Sequence, residues 1–211
     1  MELKADRIAF YNNSSFMREF FQPEDQHMGI KTMNATNVDI RKEQKKIYIA
    51  IFISLVVCIF AQVLFFLFMS RHALPTDFNA RIAFALQANV FVLIWVVIAI
   101  GMVSHGRRHS AADICGSAYT PPSPKIAVRV AFLQNTLEQA VIAASAYLAL
   151  ATLLPASFLT FIPASVVLFA IGRVAFYIGY SSGAGARAFG MATTMLPTLA
   201  GYLWAMWLIV A

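Results

Sequence analysis

Apolar residues along this chain gather into five long runs, 47–69, 82–103, 130–154, 158–180 and 191–211, separated by shorter polar stretches. Each run holds about 20 residues or more, and about 20 helical residues at 1.5 Å rise cross a ~30 Å hydrocarbon core. None alternates at period two, so the strand pattern of a membrane β-barrel is not present. The pattern predicts an all-α integral membrane protein with five spans. Composition agrees: 60% of the 211 residues are hydrophobic and 12% charged, against about a quarter charged in a soluble domain.

The polar positions set boundaries and orientation. Residues 1–46 carry eight Lys/Arg against seven Asp/Glu, which is no secretory signal. They read as a cytoplasmic polar tail ahead of a first span at 47–69. Phe10, Phe16, Phe20 and Phe21 could lay part of that tail on the membrane surface. The N-x-S/T matches at Asn12, Asn13 and Asn34 would stay unglycosylated in the cytoplasm. Lys/Arg clusters flank the runs unevenly. Arg41, Lys42, Lys45 and Lys46 precede the first, and Arg107, Arg108, Lys125 and Arg129 border the 105–125 loop. The connection around Pro155 has no charge. The positive-inside rule then puts the N-terminus in the cytoplasm, which fits a bacterial inner membrane or a eukaryotic endomembrane.

The net charge of +6 is spread along these flanks and forms no nucleic-acid patch or motif, so no nucleic-acid partner is expected. Cys58 and Cys115 suggest no disulfide. The histidines at 27, 72, 105 and 109 lie outside the runs, and no metal is expected.

Candidate chemistry begins one turn into the third run. At 100° per residue, Asn135, Glu138, Gln139 and Ile142 share a helix face. A carboxylate within a span costs roughly 2.5–3.5 kcal/mol, so a cation, a ligand, a wet crevice or pairing inside the bundle should offset it. In the fourth run Arg173, Phe176, Tyr177 and Tyr180 form a stripe at i, i+3, i+4 and i+7. Arg187 extends it only if the helix persists through Gly183 and Gly185. A cationic, phenolic face suits an anionic ligand, and a guanidinium beside a thiol favours the thiolate. The structural alternatives are interfacial anchoring and a salt bridge from Arg173 to Glu138. Pro121, Pro122 and Pro124 stiffen the 105–125 loop, as a roof or as a linker. Pro197 predicts a kink in the last run, and Trp204 and Trp207 read as belt residues.

Taken together, Arg107–Arg108 at the end of a span, Pro121–Pro122 in the loop, Asn135-x-x-Glu138, and Arg173 through Gly179–Tyr180 to Arg187 resemble the MAPEG family, the membrane-associated proteins of eicosanoid and glutathione metabolism. The resemblance covers roughly residues 81–211, and the span ahead of it resembles the mattrin-type branch. It implies a four-helix bundle at 81–211, one additional N-terminal transmembrane helix at 47–69, and assembly as a homotrimer. It also implies glutathione as co-substrate at the cytoplasmic end, between subunits. Asn135 and Glu138 would contact the peptide-like parts of glutathione, and Tyr180 would line the pocket with Tyr177 nearby. Arg187 would activate the thiol. Arg107 or Arg108 would approach from the preceding helix, and Arg173 would bond deeper, to Glu138.

Three positions depart from the family pattern. Ala131 stands where an arginine is common, and Gln139 and Phe176 stand where tyrosines are common. Arg129 is the nearest arginine to Ala131 but falls on another face. Two functions follow: a glutathione transferase or peroxidase acting on lipophilic electrophiles, or a non-catalytic protein binding membrane lipids or a partner on the same fold. A small transporter fits less well, because nothing suggests an inverted repeat.

Overall fold

The computed structural model describes residues 39–69 and 74–211. The expectations for the tail up to residue 38, and for Arg71 and His72, lie outside the described residues. Five helices follow one another: α1 Ile40–Met69, α2 Phe78–Arg108, α3 Pro124–Leu153, α4 Phe161–Tyr180 and α5 Ala184–Val210. A 3-10 turn, Ala156–Thr160, leads into α4. All five, α4 counted with its lead-in, are long and apolar enough to span a membrane. No strand occurs among the described residues.

The helices outrun the apolar stretches at one end of the bundle. There α1 begins at Ile40, α2 reaches Arg108, α3 starts at Pro124 and α5 starts at Ala184. Hydropathy marks where a chain leaves the hydrocarbon, but backbone N–H and C=O groups still need partners beyond it. The helices therefore continue until a residue stops them. Pro124 opens α3 at its first position, where its missing N–H costs nothing. Gly183, at φ 108°, breaks the chain between α4 and α5. The stripe ending at Tyr180 therefore does not continue as one helix to Arg187.

At this basic end Gly185 N–H donates to Glu43 Oε2 at 2.9 Å, joining the starts of α5 and α1, and Lys125 Nζ donates to the His109 carbonyl at 2.9 Å, joining the start of α3 to the end of α2. At the opposite end, Arg81 donates to the Leu154 carbonyl. The core between is built largely of small residues, with Ala85, Ala140, Ala143, Ala146 and Ala151 buried against Val92, Leu150 and Phe169. Small side chains let helices without a hydrophobic driving force between them approach closely. α4 and α5 come closest: a Cβ on Gly190 would lie 2.2 Å from the Phe176 nitrogen.

The additional helix α1 is laced into the bundle. Ser54, Cys58 and Gln62, spaced i, i+4 and i+8, bond to α5 and α4. Ser54 Oγ donates to the Phe189 carbonyl at 3.0 Å, and Gln62 Nε2 to Ser165 Oγ at 2.9 Å. The Cys58 thiol lies 3.8 Å from the Thr193 carbonyl. Pro197 lacks the N–H that would have served this carbonyl, and a thiol from the neighbouring helix takes its place.

Candidate functional site

Arg173 is fully buried. Its Nη1 donates to Asn135 Oδ1 at 2.8 Å and its Nη2 to Thr194 Oγ1 at 2.6 Å. Its guanidinium also lies 5.5 Å from the Phe169 ring centre and 5.0 Å from that of Phe176. The expected Arg173–Glu138 salt bridge does not form. Burial calls for local compensation of the charge, and an amide oxygen, a hydroxyl and two aromatic faces provide it without a carboxylate. Nε has no partner among the described residues. The asparagine is geometrically suited because it lies one turn from Phe132, which packs against Phe176 with ring centres 6.3 Å apart.

The polar face of α3 splits. Asn135 is half-buried and turned to Arg173, Gln139 is buried, and Glu138 is exposed. The nearest partner of Glu138 is Gln134, whose Nε2 donates at 3.2 Å. Leu137 and Val141, also exposed, flank it. The carboxylate thus faces outward from an apolar helix. Neither the Gln139 carbonyl oxygen nor the Thr136 hydroxyl has a partner among the described residues.

At the basic end, Arg187 sits in the first turn of α5 and its guanidinium lies 4.7 Å from the Tyr180 ring centre. Across the break at Gly183, the ring and the cation still meet. Gly183 offers α5 no side-chain cap; Glu43 of α1 supplies one through the Gly185 N–H, while its other oxygen takes Lys46 Nζ at 2.7 Å. A carboxylate at a helix N-terminus satisfies an unpaired donor and complements the dipole. The additional helix therefore fixes the turn that presents Arg187.

Arg107 and Arg108 bond to their own loop and helix. Arg107 Nη2 donates to Ser117 Oγ at 2.7 Å and Arg108 Nη2 approaches Ser104 Oγ at 3.5 Å. The loop they border is organised by Asp113, a residue that composition alone did not single out. Its carboxylate accepts from the Ser110 hydroxyl, from Ser123 N–H at 2.8 Å and from Ser123 Oγ at 2.6 Å. Burial works against its charge, but these bonds and the nearby Arg107 cation hold its carboxyl below the usual range. The 105–125 stretch is thus an ordered loop.

Tyr177 packs on the same Phe132–Phe176 cluster as Tyr180. With Ile98, Gly101, Met102, His105 and Arg129 it lines a crevice of about 380 Å³. The His105 and His109 rings lie tilted against each other with centres 4.4 Å apart, but no group of three or more His, Cys, Asp or Glu suited to a metal occurs among the described residues. The eight candidate residues therefore form a buried lock (Arg173, Asn135), a mouth (Tyr180, Arg187), an outward acid (Glu138), a separate crevice (Tyr177) and a loop border (Arg107, Arg108).

Three comparisons bear on this arrangement. Residues 82–207 match the model of the MAPEG family, coinciding with α2 to α5 and leaving α1 outside. Transmembrane protein 79 of Mus musculus, a MAPEG-related mattrin, is 27% identical over 134 residues, covering 62% of this chain and 32% of that protein. The alignment thus spans about a third of the relative's length. No solved structure matches the chain. With the family model covering more than half of the residues, and with five membrane-length helices carrying the polar positions described above, the chain belongs to the MAPEG family.

Proposed function

We propose that this chain is a homotrimeric, glutathione-dependent transferase or peroxidase for lipophilic electrophiles, with glutathione held between subunits at the basic, cytoplasmic end. The observation that carries this reading is the outward carboxylate of Glu138. It lies about 12 Å beyond residue 130 at 1.5 Å per residue, a depth at which an acid facing lipid costs roughly 2.5–3.5 kcal/mol. A second copy covering this face removes the acid from lipid and leaves it to accept from a bound ammonium or amide N–H.

The other groups fit a peptide-like thiol. Asn135 spends its amide oxygen on Arg173 and keeps its NH₂ for a carbonyl. Arg173 acts here through Asn135, by fixing the amide. Tyr180 offers a hydroxyl at the mouth. The Arg187 guanidinium makes no hydrogen bond among the described residues and the residue is half-buried, so its fork is available to a thiolate. The S–H proton leaves to water. The sulfur then forms a C–S bond to the electrophilic carbon; in substitution the leaving group departs with its bonding pair, and in addition that pair passes to the adjacent atom, which takes up a proton from water. Holding both reactants in one crevice supplies much of the rate. The electrophile arrives from the bilayer.

A second reading, a non-catalytic protein binding membrane lipids or a partner, is favoured by the closed Arg173–Asn135–Thr194 lock under Phe176. In that reading the polar residues hold the bundle together and perform no thiol chemistry.

Glutathione binding to the detergent-purified trimer, followed by ultraviolet absorbance of the bound thiolate, separates the two. The first reading expects binding and a thiolate signal that disappears in Arg187→Ala. An intact trimer that binds no glutathione at millimolar concentration establishes the second instead.

A further inference from the structure

We propose that the crevice formed by Ile98, Gly101, Met102, His105, Arg129 and Tyr177 holds the phosphate of an anionic glycerophospholipid from the surrounding leaflet, with Arg129 as its anchor. This site is separate from the proposed glutathione site. On α3, Arg129 and Asn135 lie about 120° apart, with Phe132 midway between them.

The polar members share one height. His105 is in the last turn of α2, Arg129 in the second turn of α3 and Tyr177 in the last turn of α4. Helix ends are where headgroups lie, and a phenol is at home there. Below this level the crevice wall becomes apolar. Ile98 is exposed, and Ile94 and Val97 continue an exposed apolar track down α2, suited to an acyl chain. Space for the headgroup comes from Gly101, where a Cβ would meet nothing within 4 Å.

Arg129 is held in place but chemically unspent. Its side chain crosses Gly106, where a Cβ would lie 2.8 Å from Nη1. Nη1 reaches the Met102 carbonyl at a long 3.4 Å, and no carboxylate pairs with Arg129 or His105 among the described residues. A guanidinium fork with free donors matches phosphate oxygens two at a time. Lys125, Arg107 and Arg108 surround this end with further positive charge. Basic pockets between membrane helices at the cytoplasmic face are where anionic headgroups bind. A free anion would gain nothing from the apolar track, which is why the lipid is the occupant.

The test is native mass spectrometry of the full, delipidated chain with phosphatidylglycerol or diacylglycerol of matched acyl chains. The wild type should retain phosphatidylglycerol about tenfold more strongly, the ratio of one strong charge-assisted contact. Arg129→Gln should abolish that preference. Gly101→Leu, which fills the crevice and leaves every charge in place, should lower retention of phosphatidylglycerol to the same level. Equal retention of the two lipids by the wild type overturns the proposal. So does a preference that survives both substitutions. Displacement of the lipid by millimolar inorganic phosphate would mark a free-anion site and overturn the lipid assignment.

Discussion

The middle of the bundle and its basic end use the same side chains in opposite ways. In the middle, Arg173 is buried, and an amide, a hydroxyl and two rings occupy it. At the end, the Arg187 guanidinium leans on one tyrosine ring and commits no hydrogen bond among the described residues. Position along the membrane normal explains the contrast. Hydrocarbon leaves a charge no alternative to protein partners, so a deep arginine must be saturated. Near the headgroups water competes, and an arginine can keep its donors free for a ligand. An arginine in a span is therefore not by itself a mark of a binding site, and the one further from the centre is the better candidate.

The largest effect should come from breaking the middle. Asn135→Leu keeps the branched shape but leaves a buried guanidinium without its amide acceptor. Such an orphaned charge should cost about 2–4 kcal/mol, seen as a clear drop in thermal unfolding midpoint in detergent. Adding Arg173→Met should recover much of that loss, because no charge then remains to be compensated. If the double variant is as unstable as the sum of the two single variants, the lock is not the coupled unit described.

A smaller effect is expected at the end. Arg187→Ala removes one partly exposed cation–π contact, worth about 1 kcal/mol or less, so its unfolding midpoint should nearly match the wild type even where thiolate formation is lost. A destabilisation comparable to that of Asn135→Leu would erase the distinction between the two arginines.

Much of this contrast was legible in the residues, and part was not. Five spans followed from five apolar runs, and the stripe from Arg173 to Tyr180 from helical spacing. The partner of Arg173 did not follow. Asn135 and Glu138 differ by only about 60° around α3, and which of them faces α4 depends on how the helices are rotated. Contacts such as Phe132 of α3 against Phe176 of α4 set that rotation, and one sequence carries no record of them. Arg129 fell on a different face from Ala131, as spacing required, but periodicity could not show that this face borders its own crevice. The role of α1 does leave a signal: Ser54, Cys58 and Gln62 at four-residue spacing are polar positions on one face of an apolar span, a mark of helix–helix contact. Glu43 left no such mark, because its partner is a backbone N–H exposed only by the break at Gly183.

That cap allows the end to be perturbed without touching Arg187. Glu43→Gln keeps an acceptor oxygen for the Gly185 N–H but loses the charge that complements the α5 dipole and binds Lys46. Global stability should fall only slightly. Amide exchange at the start of α5 should rise, while exchange in the middle of α4 stays as it was. Glu43→Ala should raise it further. Equal exchange in all three proteins would show that α5 does not need α1 at its first turn.

Acid should act on the end alone, and only weakly. Asp113 is the group to follow, since its hydrogen bonds and Arg107 hold its carboxyl below the ordinary aspartate range. A depressed folded-state value means that the unfolded chain takes up the proton first as pH falls. The stabilisation is then fully present above the unfolded value of about 3.9 and is lost as pH drops through the lower folded value. Neutral and mildly acidic buffers should leave the 109–123 loop intact. Below about pH 4, its amides should exchange faster, after correction for intrinsic rates, while the Arg173 lock, which contains no carboxylate, stays protected. Asp113→Asn should show the loosened loop already at neutral pH and lose the acid dependence. If the middle of α4 opened together with the loop, the two regions would be one cooperative unit and their different treatment of charge would have no separate energetic meaning.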